Sequence, residues 1–250
     1  MRIGRFLQKI YRFLESLPAV PSRACVCCGK TASGHTESGA LCETCSSQIP
    51  WIRAVSCPVC GRAEECPDCV RREQSHLVLH RSAVRYNAAM KGWLARYKYR
   101  GDERLAPLFA EMAAHAFRML LQEAGEHELR SACFTFIPLS RERFEERGFN
   151  QSEQLARRLG GIFGLPVVPM LERGRHTQKQ SFKTRRERLL DLKGAFNFNL
   201  PESFERKHFP NGPIILVDDV YTTGSTLNEC AAVIRSQLDV EVYGLTWARA

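Results

Sequence analysis

The chain has 250 residues, enough for one well-packed core and a small added module. Its 36 basic and 27 acidic residues leave a net charge of +9, which favours polyanionic ligands and says nothing about fold. Apolar content is 44%, and no run approaches ~18 uninterrupted apolar residues, which argues against a membrane-spanning helix and for a soluble chain. Residues 1–17 place Ile3, Phe6, Leu7, Ile10, Phe13, Leu14 and Leu17 on one helical face, with Arg2, Arg5, Lys9 and Arg12 largely elsewhere. These charges interrupt the apolar core that a secretory signal needs. The expectation for residues 1–20 is an amphipathic helix packed on its own protein. The alternative is a basic helix lying on a membrane or a partner. The expected location is cytoplasmic, and the alternative helix reading would hold the chain peripherally at the inner face of the membrane.

Eight of the eleven cysteines then form four Cys-x-x-Cys pairs within residues 21–72: Cys25/Cys28, Cys42/Cys45, Cys57/Cys60 and Cys66/Cys69. Each pair puts two thiolates on a tight turn, half of a tetrahedral zinc site. Secreted disulfide modules also use even cysteine counts, but no secretion signal precedes these. Four pairs in succession do not fit a thioredoxin-like dithiol either. Sequential pairing gives one zinc on Cys25, Cys28, Cys42 and Cys45 and a second on Cys57, Cys60, Cys66 and Cys69; a cross-braced pairing is the alternative. Four-cysteine sites are closed, so the expected metal is structural and lets about 45 residues fold with little core of their own. Cys27 is a spare thiol beside the first set.

Beyond the cysteines, residues 75–86 read as strand-like and 88–100 as a helix ended by Gly101. Asp102 and Glu103 start a further helix, with Pro107 in its first turn, that runs through Leu121. Residues 133–139 read as a strand, 150–159 as a helix, 167–169 as a short strand segment and 241–247 as a closing strand. The alternation predicts an α/β domain over residues 76–250 with a mainly parallel sheet. Trp93, Cys133 and Cys230 are expected in the core.

Residues 214–226 carry the strongest chemistry. Ile214, Ile215, Leu216 and Val217 form a short buried strand, and Asp218 and Asp219 fall at its carboxyl end, where parallel sheets place ligands. Thr222, Thr223, Gly224, Ser225 and Thr226 follow, and Leu227, Ala231, Val233, Ile234 and Leu238 repeat at helical spacing. Free amides at a helix start bind phosphate, the hydroxyls add donors, and Gly224 allows a tight turn. Adjacent carboxylates suit a diol or a metal's water shell. A ribose 5-phosphate offers both ends. The stretch is neither a Walker A loop nor a dinucleotide turn.

Three further segments carry charge for pyrophosphate. Residues 140–151 read as a loop in which Arg141, Arg143 and Arg147 offer planar donors. Residues 173–193 hold eight basic and two acidic side chains, Arg188 among them, and read as a mobile basic lid that shields the site and stabilises leaving-group charge. Lys98 sits at a helix end in residues 81–104, where seven basic and two acidic residues interleave with Trp93, Tyr97 and Tyr99. Such a mixture also suits single-stranded nucleic acid.

The ten residues from Val217 to Thr226 resemble the phosphoribosyl pyrophosphate (PRPP) motif of type I phosphoribosyltransferases. In that family the acids hold the ribose hydroxyls and the loop wraps the 5-phosphate. Lys98-Tyr99-Arg100-Gly101-Asp102, Ile137-Pro138-Leu139 with Arg147-Gly148-Phe149-Asn150-Gln151, Thr177-x-x-Gln180-Ser181, Gly194-Ala195-Phe196 and the double four-cysteine module narrow the likeness to the ComF family. The likeness covers almost the whole chain from about Cys25. Phe182 stands where Leu is common in that family, and Asp191 where Asn is usual.

The resemblance implies a type I phosphoribosyltransferase-like parallel sheet with flanking helices behind a small double zinc ribbon, in a protein of DNA uptake or utilisation (natural transformation). In the enzyme reading, Asp218 and Asp219 hold the ribose of Mg-PRPP and stabilise a ribosyl cation electrostatically. Residues 222–226 bind the 5-phosphate, and Arg141, Arg147, Lys98 and Arg188 hold the remaining phosphates. No general base for an acceptor is identifiable. In the alternative reading PRPP is a bound regulator and the basic surface handles single-stranded DNA without turnover. The implied partners are PRPP or a related phosphosugar, single-stranded DNA, and membrane-associated uptake machinery. A purely structural adaptor leaves the PRPP-like motif unexplained.

Overall fold

The computed structural model describes residues 24–32, 34–36, 39–66, 69, 74–174, 194–200 and 212–250. The predicted N-terminal helix and almost all of the predicted basic lid, with Arg188, lie outside the described residues. The chain divides into two compact units, Met1–Gln48 and Ile49–Ala250. The second cysteine set therefore belongs to the larger unit, whereas the sequence suggested one cysteine module over residues 21–72.

In the smaller unit, strands β1 (Gly34–Thr36) and β2 (Gly39–Leu41) form an antiparallel pair, followed by the short helix α1 (Glu43–Ser47). Cys25, Cys42 and Cys45 are buried there.

The larger unit is built on a four-stranded sheet of β3 (His80–Arg85), β4 (Cys133–Phe136), β7 (Ile214–Tyr221) and β8 (Val242–Arg249), in the order β3-β8-β7-β4. All three strand pairs are parallel. The predicted parallel α/β class is what the chain adopts. Every residue of β4 and β8 is buried, the pattern of strands covered on both faces. The predicted segment at 167–169 contributes only a single bridge, Val167 to Phe134.

Helices fill the crossovers. They are α2 (Ala88–Arg100), α3 (Ala106–Ala124), the short α4 (Glu126–Leu129), α5 (Arg141–Arg147), α6 (Gln151–Phe163) and α7 (Ser225–Gln237). A hairpin of β5 (Leu171–Arg173) and β6 (Phe196–Phe198) packs on α7.

Helix α3 packs on β3, β8 and α6, and carries Phe109 against Trp247 at 4.2 Å between ring centres. Trp247 is fully buried and its Nε1 donates to Met112 Sδ at 3.3 Å, so the ring's polar edge is not stranded. Trp93, Cys133 and Cys230 are buried as predicted. A second cluster on the α7 side joins Ile214, Leu216, Leu227, Cys230 and Ile234 to Cys57 and Cys60. The second cysteine set thus shares a core with the strand and helix that flank residues 222–224.

Candidate functional site

The apolar run of β7 predicts a strand of four residues, yet β7 continues through both acids to Tyr221. It does so because Asp218, Val220 and Tyr221 stay in register with Thr246, Ala248 and Arg249 of β8. Gly224 then takes a left-handed conformation, φ 75°, and caps α7. A Cβ at this position would lie 2.0 Å from Tyr221 Oη, so glycine is required both by conformation and by space.

The two acids are held by groups far away in sequence. Asp218 Oδ1 accepts from Ser152 Oγ at 2.9 Å and from the Asp219 amide at 2.8 Å. Asp219 forms an ion pair with Lys98. Lys98 is aimed there by the way α2 ends. Asn87 caps the start by accepting from Met90 N, and Gly101 closes the end in the left-handed region with its N–H on Arg96 O. Arg104 Nε donates to Asp102 at 2.7 Å and Arg96 pairs with the same carboxylate, which holds Asp102 below the usual carboxylate range. Tyr97, fully buried, donates to Gln154 Oε1 at 2.6 Å and so ties α2 to α6.

Burial pushes the Asp218 carboxyl up to about 7, and the neighbouring charge of Asp219 adds to it. The Asp219 amide, Lys98 and Ser152 pull the other way without overcoming it. The site therefore pairs one acid with Lys98 and holds the other poised near neutrality.

These groups open into a cavity of about 310 Å³ whose lining includes Lys98, Arg143, Arg147, Arg173, Asp218 and Asp219. Four cations face two acids, a field that accepts a polyanion while leaving a place for a cation or a diol at the acids. Ile137, Pro138 and Leu139, just past β4, supply an apolar wall. Thr226 also lines the cavity. Thr222, Thr223, Gly224 and Ser225 are not among its lining residues; Thr223 Oγ1 and Ser225 Oγ meet at 2.7 Å, and Thr222 is exposed.

The segment expected as a loop at 140–151 is largely helical. Arg141 turns to Glu145 one helical turn on, at 2.8 Å, and is 90% exposed. It does not line the cavity, whereas Arg143 and Arg147 do. Arg147 lies 5.3 Å from the Tyr99 ring centre, donates through Nη1 to Gln151 at 2.8 Å, and has a buried Nε with no hydrogen-bond partner among the described residues.

Sequence reasoning did not single out Ser152 or Arg173. Ser152 is an ordinary first-turn residue until the fold places it over Asp218. Arg173 was one of eight basic residues in its stretch, and only the β5–β6 hairpin, with Phe196 5.4 Å from its guanidinium, directs it into the site. Burial lowers its pKa, with Arg143 adding repulsion.

Asn150 fixes the start of α6. Its side-chain oxygen accepts from the amides of Ser152 and Glu153, and its Nδ2 donates to Ile137 O at 2.9 Å. Asn150→Ala should cost about 1–2 kcal/mol, since it removes a cap and leaves a buried carbonyl short of a donor. It should also weaken ligand binding by displacing Ser152. Chemical denaturation of the variant checks the first effect.

The eight cysteines gather in sequential sets. The Sγ atoms of Cys25, Cys28, Cys42 and Cys45 lie within 4.8 Å of one another, as do those of Cys57, Cys60, Cys66 and Cys69. The cross-braced alternative is not adopted. Cys28 and Cys42 approach to 3.5 Å and Cys60 and Cys66 to 3.3 Å, with no disulfide between them.

Packed this closely, the thiols cannot all ionise on their own. Burial and the facing thiols push Cys45 and Cys69 up. For Cys25 the upward push of burial is outweighed by the backbone N–H groups of Cys42, Cys28 and Cys27, which bring it to about 6. A divalent cation resolves that conflict, and the closed four-sulfur donor sets fit structural zinc. Among the described residues no helix is long and apolar enough to cross a membrane.

No family model matches the chain. Curated relatives do. Competence protein ComFC of Streptococcus pneumoniae (strain ATCC BAA-255 / R6) is 30% identical over 237 residues, covering 88% of this chain and 98% of that protein. Competence protein ComFC of Bacillus subtilis (strain 168) is 34% identical over 205 residues, 76% of each chain. DNA utilization protein YhgH of Escherichia coli (strain K12) is 28% identical over 219 residues, covering 78% of this chain and 90% of its own. Among solved structures, adenine phosphoribosyltransferase from Saccharomyces cerevisiae aligns with 56% of this chain and 68% of its own, at 17% identity and a TM-score of 0.33, too low to carry an argument. The two ComFC relatives, at 30% identity or more and matched over most of their own length, establish that the chain belongs to the ComF family.

Proposed function

We propose that this chain binds PRPP with Mg²⁺ in the cavity at the end of β7 and acts in the uptake or utilisation of DNA. The observation that carries the reading is the composition of one cavity: two acids, one of them poised near neutrality, face four cations beside the glycine-capped start of α7. Asp218 and Asp219 hold the ribose hydroxyls and the metal's water shell. Thr222, Thr223, Gly224, Ser225 and Thr226 hold the 5-phosphate with amides and hydroxyls. Lys98, Arg143, Arg147 and Arg173 neutralise pyrophosphate, whereas Arg141 faces solvent and Arg188 lies outside the described residues. Lys98 is then shared between Asp219 and an incoming phosphate.

The part in DNA uptake rests on the names of the relatives, competence and DNA-utilization proteins. Single-stranded DNA is the polyanionic partner that the net charge of +9 suits, and its binding should weaken steeply with salt. Residues 1–20, whose sequence pattern predicts an amphipathic helix, would bring the chain to uptake machinery at the membrane in this reading. The two cysteine sets carry structural zinc, and elemental analysis should find two zinc ions per chain; far fewer would refute two intact sites.

The transfer reaction is the first reading. A ribosyl cation forming at C1 would be stabilised by the two carboxylates, and the leaving pyrophosphate by the four cations. The second reading, PRPP as a non-turned-over regulator of DNA handling, is favoured by one feature: among the described residues no histidine lines the cavity to activate an acceptor. Pyrophosphate release from PRPP, measured with and without single-stranded DNA or nucleobases, separates them. Acceptor-dependent release that is lost in an Asp218→Ala/Asp219→Ala variant supports transfer. Tight binding without release supports the regulator.

A further inference from the structure

The turn that reads as a phosphate cradle rests on the second cysteine set. The knuckle of residues 57–61 docks on the first residues of β3. His80 N donates to Val59 O at 2.7 Å and Arg81 Nη1 to Pro58 O at 2.9 Å. The fit is close, because a Cβ on Gly61 would lie 2.6 Å from His80 O. His80 Nδ1 lies 3.1 Å from the Cys60 carbonyl, which only accepts, so this nitrogen carries the proton.

The contacts continue to the turn. The His80 ring packs on Tyr221 with ring centres 4.2 Å apart. The hydroxyl end of Tyr221 fills the space beside Gly224, where any Cβ would collide with it. Moving the knuckle thus moves His80, Tyr221 and the residue that starts α7.

A second observation points the same way. Arg249, at the end of β8, is 5% exposed and none of its three guanidinium nitrogens has a hydrogen-bond partner among the described residues. The guanidinium lies 4.3 Å from the centre of the Tyr221 ring. A buried cation left this way is costly unless an anion is near. Arg249 thus packs on Tyr221 from β8 while His80 packs on it from the knuckle side; Arg81 is already paired with Glu123.

We propose that zinc at Cys57, Cys60, Cys66 and Cys69 and a phosphosugar at residues 222–226 are coupled ligands, each tightening the other through His80, Tyr221 and Arg249. This rests on the phosphosugar reading of the turn. Linkage requires the two effects to be equal: the factor by which zinc raises phosphosugar affinity is the factor by which phosphosugar raises zinc affinity. The expected factor is about tenfold, inside the range usual for coupled sites.

The test is zinc affinity of the full-length chain, by competition with a chromophoric chelator, with and without saturating PRPP and Mg²⁺. PRPP binding to the zinc-loaded protein is measured separately by equilibrium dialysis. One of the two zinc equivalents should bind about tenfold tighter with PRPP. The effect should vanish in Tyr221→Ala and persist in Tyr221→Phe, which keeps the ring. PRPP that binds by dialysis but leaves both zinc affinities unchanged overturns the coupling alone. PRPP that does not bind the zinc-loaded chain overturns both the coupling and the phosphosugar reading. Should Tyr221→Ala not fold, the wild-type comparison decides by itself.

Discussion

Asp218→Asn is expected to abolish phosphosugar binding and, at the same time, to make the protein more stable above pH 7. The carboxyl sits at about 7 in the folded chain against an ordinary 3.8, first because it is buried and then because Asp219 is charged beside it. A folded-state pKa above the unfolded one means that the native state holds the proton more tightly. The stability this gives is fully present below the unfolded value and is lost as pH rises through the folded value. Above pH 7 the wild-type chain therefore carries a buried, poorly compensated charge that asparagine lacks. The gain from Asp218→Asn should be about 2–4 kcal/mol at pH 8 and should shrink toward zero near pH 4. Denaturant unfolding at the two pH values checks the sign. A variant less stable than wild type at pH 8 would refute a site that sacrifices stability for binding. The same titration predicts that Mg-PRPP affinity of the wild type falls about tenfold per pH unit below 7, because bound metal requires the ionised form.

The second large effect is expected at Gly224. Alanine there must hold φ near 75° and must displace Tyr221, whose Oη and Cζ lie 2.0 and 2.2 Å from the new Cβ. The left-handed conformation costs roughly 1–2 kcal/mol and the overpacking a further 1–3 kcal/mol. Loss of the turn should also lower PRPP affinity by more than about tenfold, since the first amides of α7 no longer face the phosphate. Gly148→Ala provides the contrast: its φ is 78°, but nothing lies within 4 Å of a Cβ there. It should cost only the conformational part. Equal melting temperatures for the two variants would show that Tyr221 yields freely and does not brace the turn.

The parts of this site that were legible in the sequence are those written contiguously. Residues 214–226 declare strand, acids, turn and helix in order, and each follows from a local rule: an apolar run, a glycine, hydroxyls at a helix start. Helix α2 was legible to the residue because Asn87 and Gly101 cap it. The cysteine sets were legible because ligand spacing is local, although the choice between sequential and cross-braced pairing needed the fold.

What could not be read are pairings across the chain. Ser152 on Asp218 joins residues 66 apart, and nothing in the first turn of α6 announces it. Lys98 could be suspected from its charge, but its ion pair with Asp219 depends on how α2 and β7 meet in the fold. Residues 140–151 were misread as a loop because arginines and glutamates carry no apolar period; the Arg141–Glu145 pair at helical spacing was the signal available. That spacing also explains why Arg143 and Arg147, four residues apart, share the cavity side while Arg141 faces solvent. The dependence of the turn on Cys60 through His80 and Tyr221 lies further still from any local pattern, since it joins the cysteine knuckle, β3 and β7.

The central claim, that this ComF-family chain grips PRPP at the end of β7, is tested most directly by equilibrium dialysis of labelled PRPP with Mg²⁺ against the zinc-loaded protein and its Asp218→Ala/Asp219→Ala variant. The predicted result is saturable binding of one PRPP per wild-type chain and its loss in a variant that still unfolds cooperatively. No binding to the wild type, or undiminished binding to the folded variant, would contradict it.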